Sequence, residues 1–154
     1  MRGQVAALLG QLHDAEAELA AALREVAGRH ADDAGTHHPC RTLAGQCDEH
    51  ARHLRDQATR LGEPPPAHPD RVLPGAGAPR WGGPGAELLA DLRELHLRAQ
   101  DVSLHWVLAG QAAQAIGDQE LLGLVSAAHA ETRTQARWIT TRLKQAAPQV
   151  LARD

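Results

Sequence analysis

The chain has no phenylalanine and no tyrosine, and three tryptophans make up its whole aromatic complement. A core without phenyl rings is built from alanine, leucine and valine. Its helices must therefore approach closely, with Trp106 and Trp138 as the candidate large anchors. A basic surplus is also missing. The 16 basic and 19 acidic residues are interspersed and leave a net charge of -3 and a pI near 6.3. A nucleic-acid binder carries a basic face or a pI above about 9 and uses aromatics to stack bases, so nucleic acid is not an expected partner. No apolar run approaches the roughly 20 residues that span a bilayer. The short apolar start, Met1 to Leu12, meets Asp14, Glu16 and Glu18 before any plausible cleavage site, unlike a secretory signal. A cytoplasmic protein without membrane contact is the expectation. Cysteine is scarce: Cys40 and Cys47 stand alone. Seven residues apart on one helix they are separated by about 10 Å, beyond the roughly 7 Å that a disulfide allows. They are read as free thiols or ligands.

Proline, by contrast, is concentrated. Seven of the nine prolines fall between Gly62 and Gly85, and the sequence on either side is patterned for helix. The apolar residues Val5, Leu8, Leu12, Leu19, Leu23 and Val26 predict a helix over about Gly3 to Ala27. A second helix follows from Thr36, taken as its N-cap, to about Leu61, with Pro39 in its first turn. Its inner stripe reads His37, Cys40, Leu43, Cys47, His50, Leu54, Ala58 and Leu61. A third runs from near Gly85 to Ile116, with Leu88, Leu92, Leu95, Ala99, Val102, Trp106, Ala109 and Ala113 inward. After a turn at Gly117, Asp118 caps a fourth helix that reaches about Ala147, where Pro148 is expected to end it. Its inward positions are Leu121, Val125, Ala128, Thr132, Ile139 and Leu143. The 154 residues are sized for one domain. The 62–85 linker could extend roughly 75 Å at about 3.3 Å per residue, enough to run back along a whole helix. The expected fold is all-α: a four-helix bundle of two antiparallel hairpins joined by a long crossover.

Such bundles place function in polar residues that project into the core. Glu16 falls on the apolar stripe of helix 1, and Cys47 and His50 fall on that of helix 2. With a rise of about 1.5 Å per residue, reflection about the hairpin turns sets Glu16 at about 20 Å and His129 at about 18 Å above one end of the bundle. Glu16, Cys47, His50 and His129 are thus candidate metal ligands. Such a set suits zinc or iron better than magnesium or calcium. The competing reading is a buried thiol behaving as a small hydrophobe and a histidine bonded to a carbonyl. His13, three residues before Glu16, is a candidate partner for it. His37 and Cys40 are read as a partly solvated helix terminus. Glu49, Arg52, His53 and Asp56 have the spacing of an exposed ion-paired face. No nucleophile with an adjacent base and no glycine-rich phosphate loop is present, so no catalytic residue is assigned.

The layout resembles the ferritin-like superfamily, whose di-iron site takes a Glu from each of two helices and a Glu-x-x-His from each of the others. Here helix 1 offers Glu16, helix 2 offers Cys47-Asp48-Glu49-His50 and helix 4 offers Ser126-Ala127-Ala128-His129. Both histidines of the pattern are present, and both preceding glutamates are replaced. Trp106 through Gln111, Arg137-Trp138 and Pro148-Gln149 are also similar to small uncharacterised actinobacterial helical proteins. The resemblance implies a bundle that binds a transition metal, as a metal-binding or redox-sensing module. The alternative is a metal-free helical interaction or assembly subunit. Either would be compatible with a protein partner or with a homodimer, for which Trp138, Thr141 and Arg142 mark the expected face.

Overall fold

The computed structural model describes residues 2–62 and 82–152. Among these it is a four-helix bundle: α1 (Arg2–Arg29), α2 (Ala34–Leu61), α3 (Ala86–Ile116) and α4 (Gln119–Leu151). No described residue is in a strand. The expected crossover, 62–85, lies almost wholly outside the described residues.

The apolar stripes set the packing. Leu9, Leu12, Leu19 and Leu23 of α1, Leu54 of α2, Leu92, Leu95 and Trp106 of α3, and Leu121 and Ile139 of α4 are all essentially inaccessible to solvent. They belong to one continuous core. α1 packs intimately on α2 and α3 on α4, α1 also packs on α3, and α2 meets α4 only sparsely. Directions follow from named pairs. Arg29 bonds Asp91 at the end of α1 and the start of α3, while Arg98 reaches back to Glu18. Across the other side Arg142 bonds Asp33 and Arg60 bonds Asp118. Neighbouring helices therefore run antiparallel, and α2 and α3, on a diagonal, point the same way.

The turns follow local chemistry. Gly117 adopts a left-handed φ of 68°, and Asp118 N–H returns to the Ala113 carbonyl at 2.9 Å, the glycine-terminated helix end that spares a Cβ clash. The Asp118 side chain then accepts from Leu121 N–H at 3.0 Å, capping α4. Two expected boundaries are corrected. α2 starts earlier, with Asp33 rather than Thr36 at the N-cap. Thr36 is buried and donates its hydroxyl to Asp33. α4 continues through Pro148 to Leu151. The proline sits one turn from the helix end at an exposed position, where water can satisfy the carbonyl it leaves without a donor. No helix among the described residues is long and apolar enough to cross a membrane.

Candidate functional site at mid-bundle

Halfway along the bundle all four helices contribute a polar side chain to one cluster. Glu16 is fully buried because the α1 stripe steps by four from Leu12 and by three to Leu19, and residue 16 has no outward alternative. Its Oε1 accepts from Trp106 Nε1–H at 2.9 Å and from His50 Nδ1–H at 3.1 Å. The His50 and Trp106 rings meet edge to face, 5.9 Å between centroids at 84°, so each ring orients the other. On its far side His50 Nε2 faces Glu131 Oε1 at 3.3 Å. Glu131 of α4 is 49% exposed and closes the cluster towards solvent.

The imidazole thus bridges an interior carboxyl and a surface one. Burial pushes the His50 pKa down, but Glu16 and Glu131 outweigh it, and the net displacement is upward. The geometry favours imidazolium, with each N–H directed at a carboxyl oxygen. Beside it Cys47 is buried, its thiol donating to Gln135 Oε1 at 3.8 Å, and Gln135 Nε2 donates to Gln46 Oε1 at 3.0 Å. Burial first, and Glu16 second, drive the Cys47 thiol far above its usual range. It is held as S–H and is a poor nucleophile. Glu16 Oε2 has no hydrogen-bond partner among the described residues.

Three of the four expected ligand residues, Glu16, Cys47 and His50, therefore share one region. His129 does not join them: its Nε2 lies 3.0 Å from Ser103 Oγ, in the α3/α4 groove. The helical rise placed it at the correct height, but the rotation about α4 turns it towards α3. Among the described residues no group of three or more His, Cys, Asp and Glu side chains is arranged to hold a metal ion. Ligation needs a ring nitrogen lone pair and a thiolate, so a metal here would have to displace a proton from each. Both His50 nitrogens face carboxyl oxygens, and the thiol is held protonated. What the cluster can do is hold a proton on His50, between an interior and a surface carboxyl.

Other expected sites resolve differently. His13 does not reach Glu16; its ring nitrogens face Asp14 at 3.2 Å and Arg55 at 3.3 Å. Cys40 is not at a solvated end but fully buried, and burial raises its thiol pKa to about 12. His37 is held by the Ala27 carbonyl at 2.7 Å. Glu49, Arg52 and His53 do form the expected exposed ion-paired face. On the expected partner face, Arg142 is engaged within its own chain by Thr36 and Asp33, Trp138 packs partly buried against the core, and Thr141 is exposed. Sequence reading missed Glu131 and Gln135. Gln135 lies three residues after the inward Thr132 and four before Ile139, so its spacing carried the signal, whereas Glu131 sits beside the stripe and nothing in the spacing marks it. Compared with protein-family models, curated proteins and solved structures, the chain matches none.

Proposed function

We propose that the chain is a ferritin-like bundle acting as a metal-free assembly subunit without catalytic activity, and that it joins a second copy through the outer face of α3. One observation carries this reading. From Val102 to Gly117 the sequence has no Asp, Glu, Lys or Arg, yet the outer face of this half-helix meets solvent, with Leu104 57%, Val107 45% and Leu108 46% exposed. Apolar side chains gathered on one surface mark an interaction site. Leu97, Leu104, Leu108, Gln111 and Ala115 follow one another in steps of three, four and seven, the spacing of a helix-pairing seam.

The stripe is self-complementary, which favours a second copy as occupant. Around a twofold axis crossing α3 at the level of Trp106, Leu104 meets Leu108 of the second copy and Leu97 meets its Ala115. Asp101 meets Gln111, whose amide can donate to it. A twofold interface needs such reciprocal pairing. The ferritin-like reading is supported by the antiparallel neighbours, by α2 and α3 running the same way, and by the length of the 62–85 link. Light scattering at micromolar concentration tests the assembly. The expected mass is twice 16.5 kDa, falling to one chain in the L104E/L108E variant with helix content unchanged. A monomeric parent protein would sink the proposal.

The unpartnered Glu16 Oε2 beside the Cys47 thiol favours a second reading, a transition-metal site that would draw the thiolate and that oxygen onto one cation. Elemental analysis of tag-free protein separates the two. Near-stoichiometric zinc or iron, lost in C47S and H50A, would support the metal, and metal-free protein of full stability would remove it.

A further inference from the structure

The charges are interspersed along the chain as a whole but not along α4. From Thr132 to Ala152 the helix carries Arg133, Arg137, Arg142 and Lys144 and no acid. Arg142 is neutralised by Asp33. Arg133 and Arg137, one turn apart and both exposed, have no carboxyl within ion-pair distance among the described residues. Arg137 Nη2 donates to Thr134 Oγ1 at 3.3 Å. Among the other exposed arginines, Arg24, Arg52 and Arg60 each meet an acid; Arg41 and Arg55 on α2 meet none among the described residues, but they stand far apart rather than paired one turn from each other. Like charges at i, i+4 repel. The helix macrodipole rewards cations only in the last turn, and both arginines lie near the middle of α4. Neither the fold nor the dipole accounts for them.

They line a groove of about 690 Å³ between α3 and α4, together with Thr134, Ser103 and Gln100, over an alanine floor. No carboxyl lines it. Its positive field already acts on a neighbour: burial and then Arg133 lower the pKa of His129, the residue next to Ser103. The volume falls within the range of about 300–1,000 Å³ typical of small-molecule sites.

We propose that this groove binds a small phosphate-bearing anion. Two guanidinium forks one turn apart present more donors than a monocarboxylate has oxygens to accept, whereas a phosphate dianion can take a bidentate pair from each. The Gln100 amide, with the Ser103 hydroxyl beside it, supplies neutral donors to the rest of the ligand, while Thr134 spends its hydroxyl hydrogen on the Ala130 carbonyl. The groove borders the face expected to join a second copy, Gln100 standing one turn before Leu104 on α3, whereas its two arginines lie on α4, outside that seam.

The test uses the full chain labelled with nitrogen-15, titrated with inorganic pyrophosphate at constant ionic strength while the arginine Nε–H signals are followed by NMR. The parent protein is compared with R133Q/R137Q and with R41Q, a change at an exposed arginine on α2. The expected result is saturable movement of Arg133, Arg137 and the Ser103 amide. Affinity should fall at least tenfold in R133Q/R137Q, stay unchanged in R41Q, and show no saturable counterpart with acetate. Both changes are at exposed positions, and circular dichroism confirms the fold of each variant. Uniform, linear movement of all arginine signals would mean ionic screening alone and would overturn the site. So would undiminished binding in R133Q/R137Q. Equal binding of acetate would overturn the phosphate assignment.

Discussion

At the scale of single residues, the behaviour of the bundle centre follows from one oxygen. Glu16 Oε1 is the common acceptor of Trp106 and His50, so removing any member leaves a buried group without compensation. Glu16→Ala should cost about 3–5 kcal/mol, the range for breaking a buried ion pair from one side. Trp106→Phe, which removes the indole donor, should cost about 1–3 kcal/mol. Because the two share an acceptor, the double variant should lose less than the sum. Urea denaturation of the four proteins measures all three quantities. His50 adds a pH dependence of definite sign. Its folded-state pKa is raised, so the folded chain holds the proton more tightly than the unfolded one. That stabilisation is fully present below about pH 6.5, the ordinary histidine value, and is lost as pH rises through the folded-state pKa. The groups facing the ring are Glu16, Glu131 and Trp106. The urea midpoint of the parent protein should fall on the alkaline side, and His50→Gln should flatten that part of the profile.

At the scale of elements, caps and close approaches decide. Asp118→Ala removes the side-chain acceptor of Leu121 N–H and the partner of Arg60, and should cost about 1 kcal/mol in thermal or chemical denaturation. Gly85, at the start of α3, has a left-handed φ of 84°, and a Cβ there would lie 2.6 Å from Val150 Cγ2. Gly85→Ala should therefore destabilise by about 1–3 kcal/mol, the range for a strained backbone site. The four helices and their inner stripes were legible in the sequence because Leu, Val and Ala recur at the helical period and Gly117 with Asp118 spells out a turn. Heights along the bundle were legible too, since the rise per residue is constant. Rotation was not. A shift of one position about the helix axis separates His129, which faces α3, from Ala128 and Thr132, which face the core. Pro148 shows the same limit for boundaries, since proline ends a helix only where the lost hydrogen bond cannot be replaced by water.

At the scale of the whole molecule, the four sides of the bundle are unlike. The α1/α2, α3/α4 and α1/α3 sides are filled mainly by leucine, valine and alanine, with fewer polar pairs such as Arg24–Asp48 and Arg29–Asp91. The α2/α4 side is crossed by polar pairs from end to end: Arg142 with Asp33 and Thr36, Gln135 with Gln46, His50 with Glu131, Gln57 with Glu120, and Arg60 with Asp118. Long side chains span a gap that the backbones leave open. In native-state hydrogen exchange, α1, gripped by apolar neighbours on two sides, should protect its amides longest, and α4 should open first. Uniform protection across all four helices would contradict an opening at this seam.

The same asymmetry shapes how the sequence can change over time. On the apolar sides a substitution is judged mainly by volume, so leucine, isoleucine and methionine can trade places one at a time at modest cost. On the α2/α4 side each residue is matched to one or a few named counterparts, and changing either alone strands a donor or an acceptor. Drift there must proceed by coupled replacement: Gln57 with Glu120, or Gln46 with Gln135, as joint events. In a deep mutational library the two kinds of side should separate into additive positions and strongly epistatic pairs, and the lineage of this protein should carry the history of its α2/α4 seam as correlated substitutions.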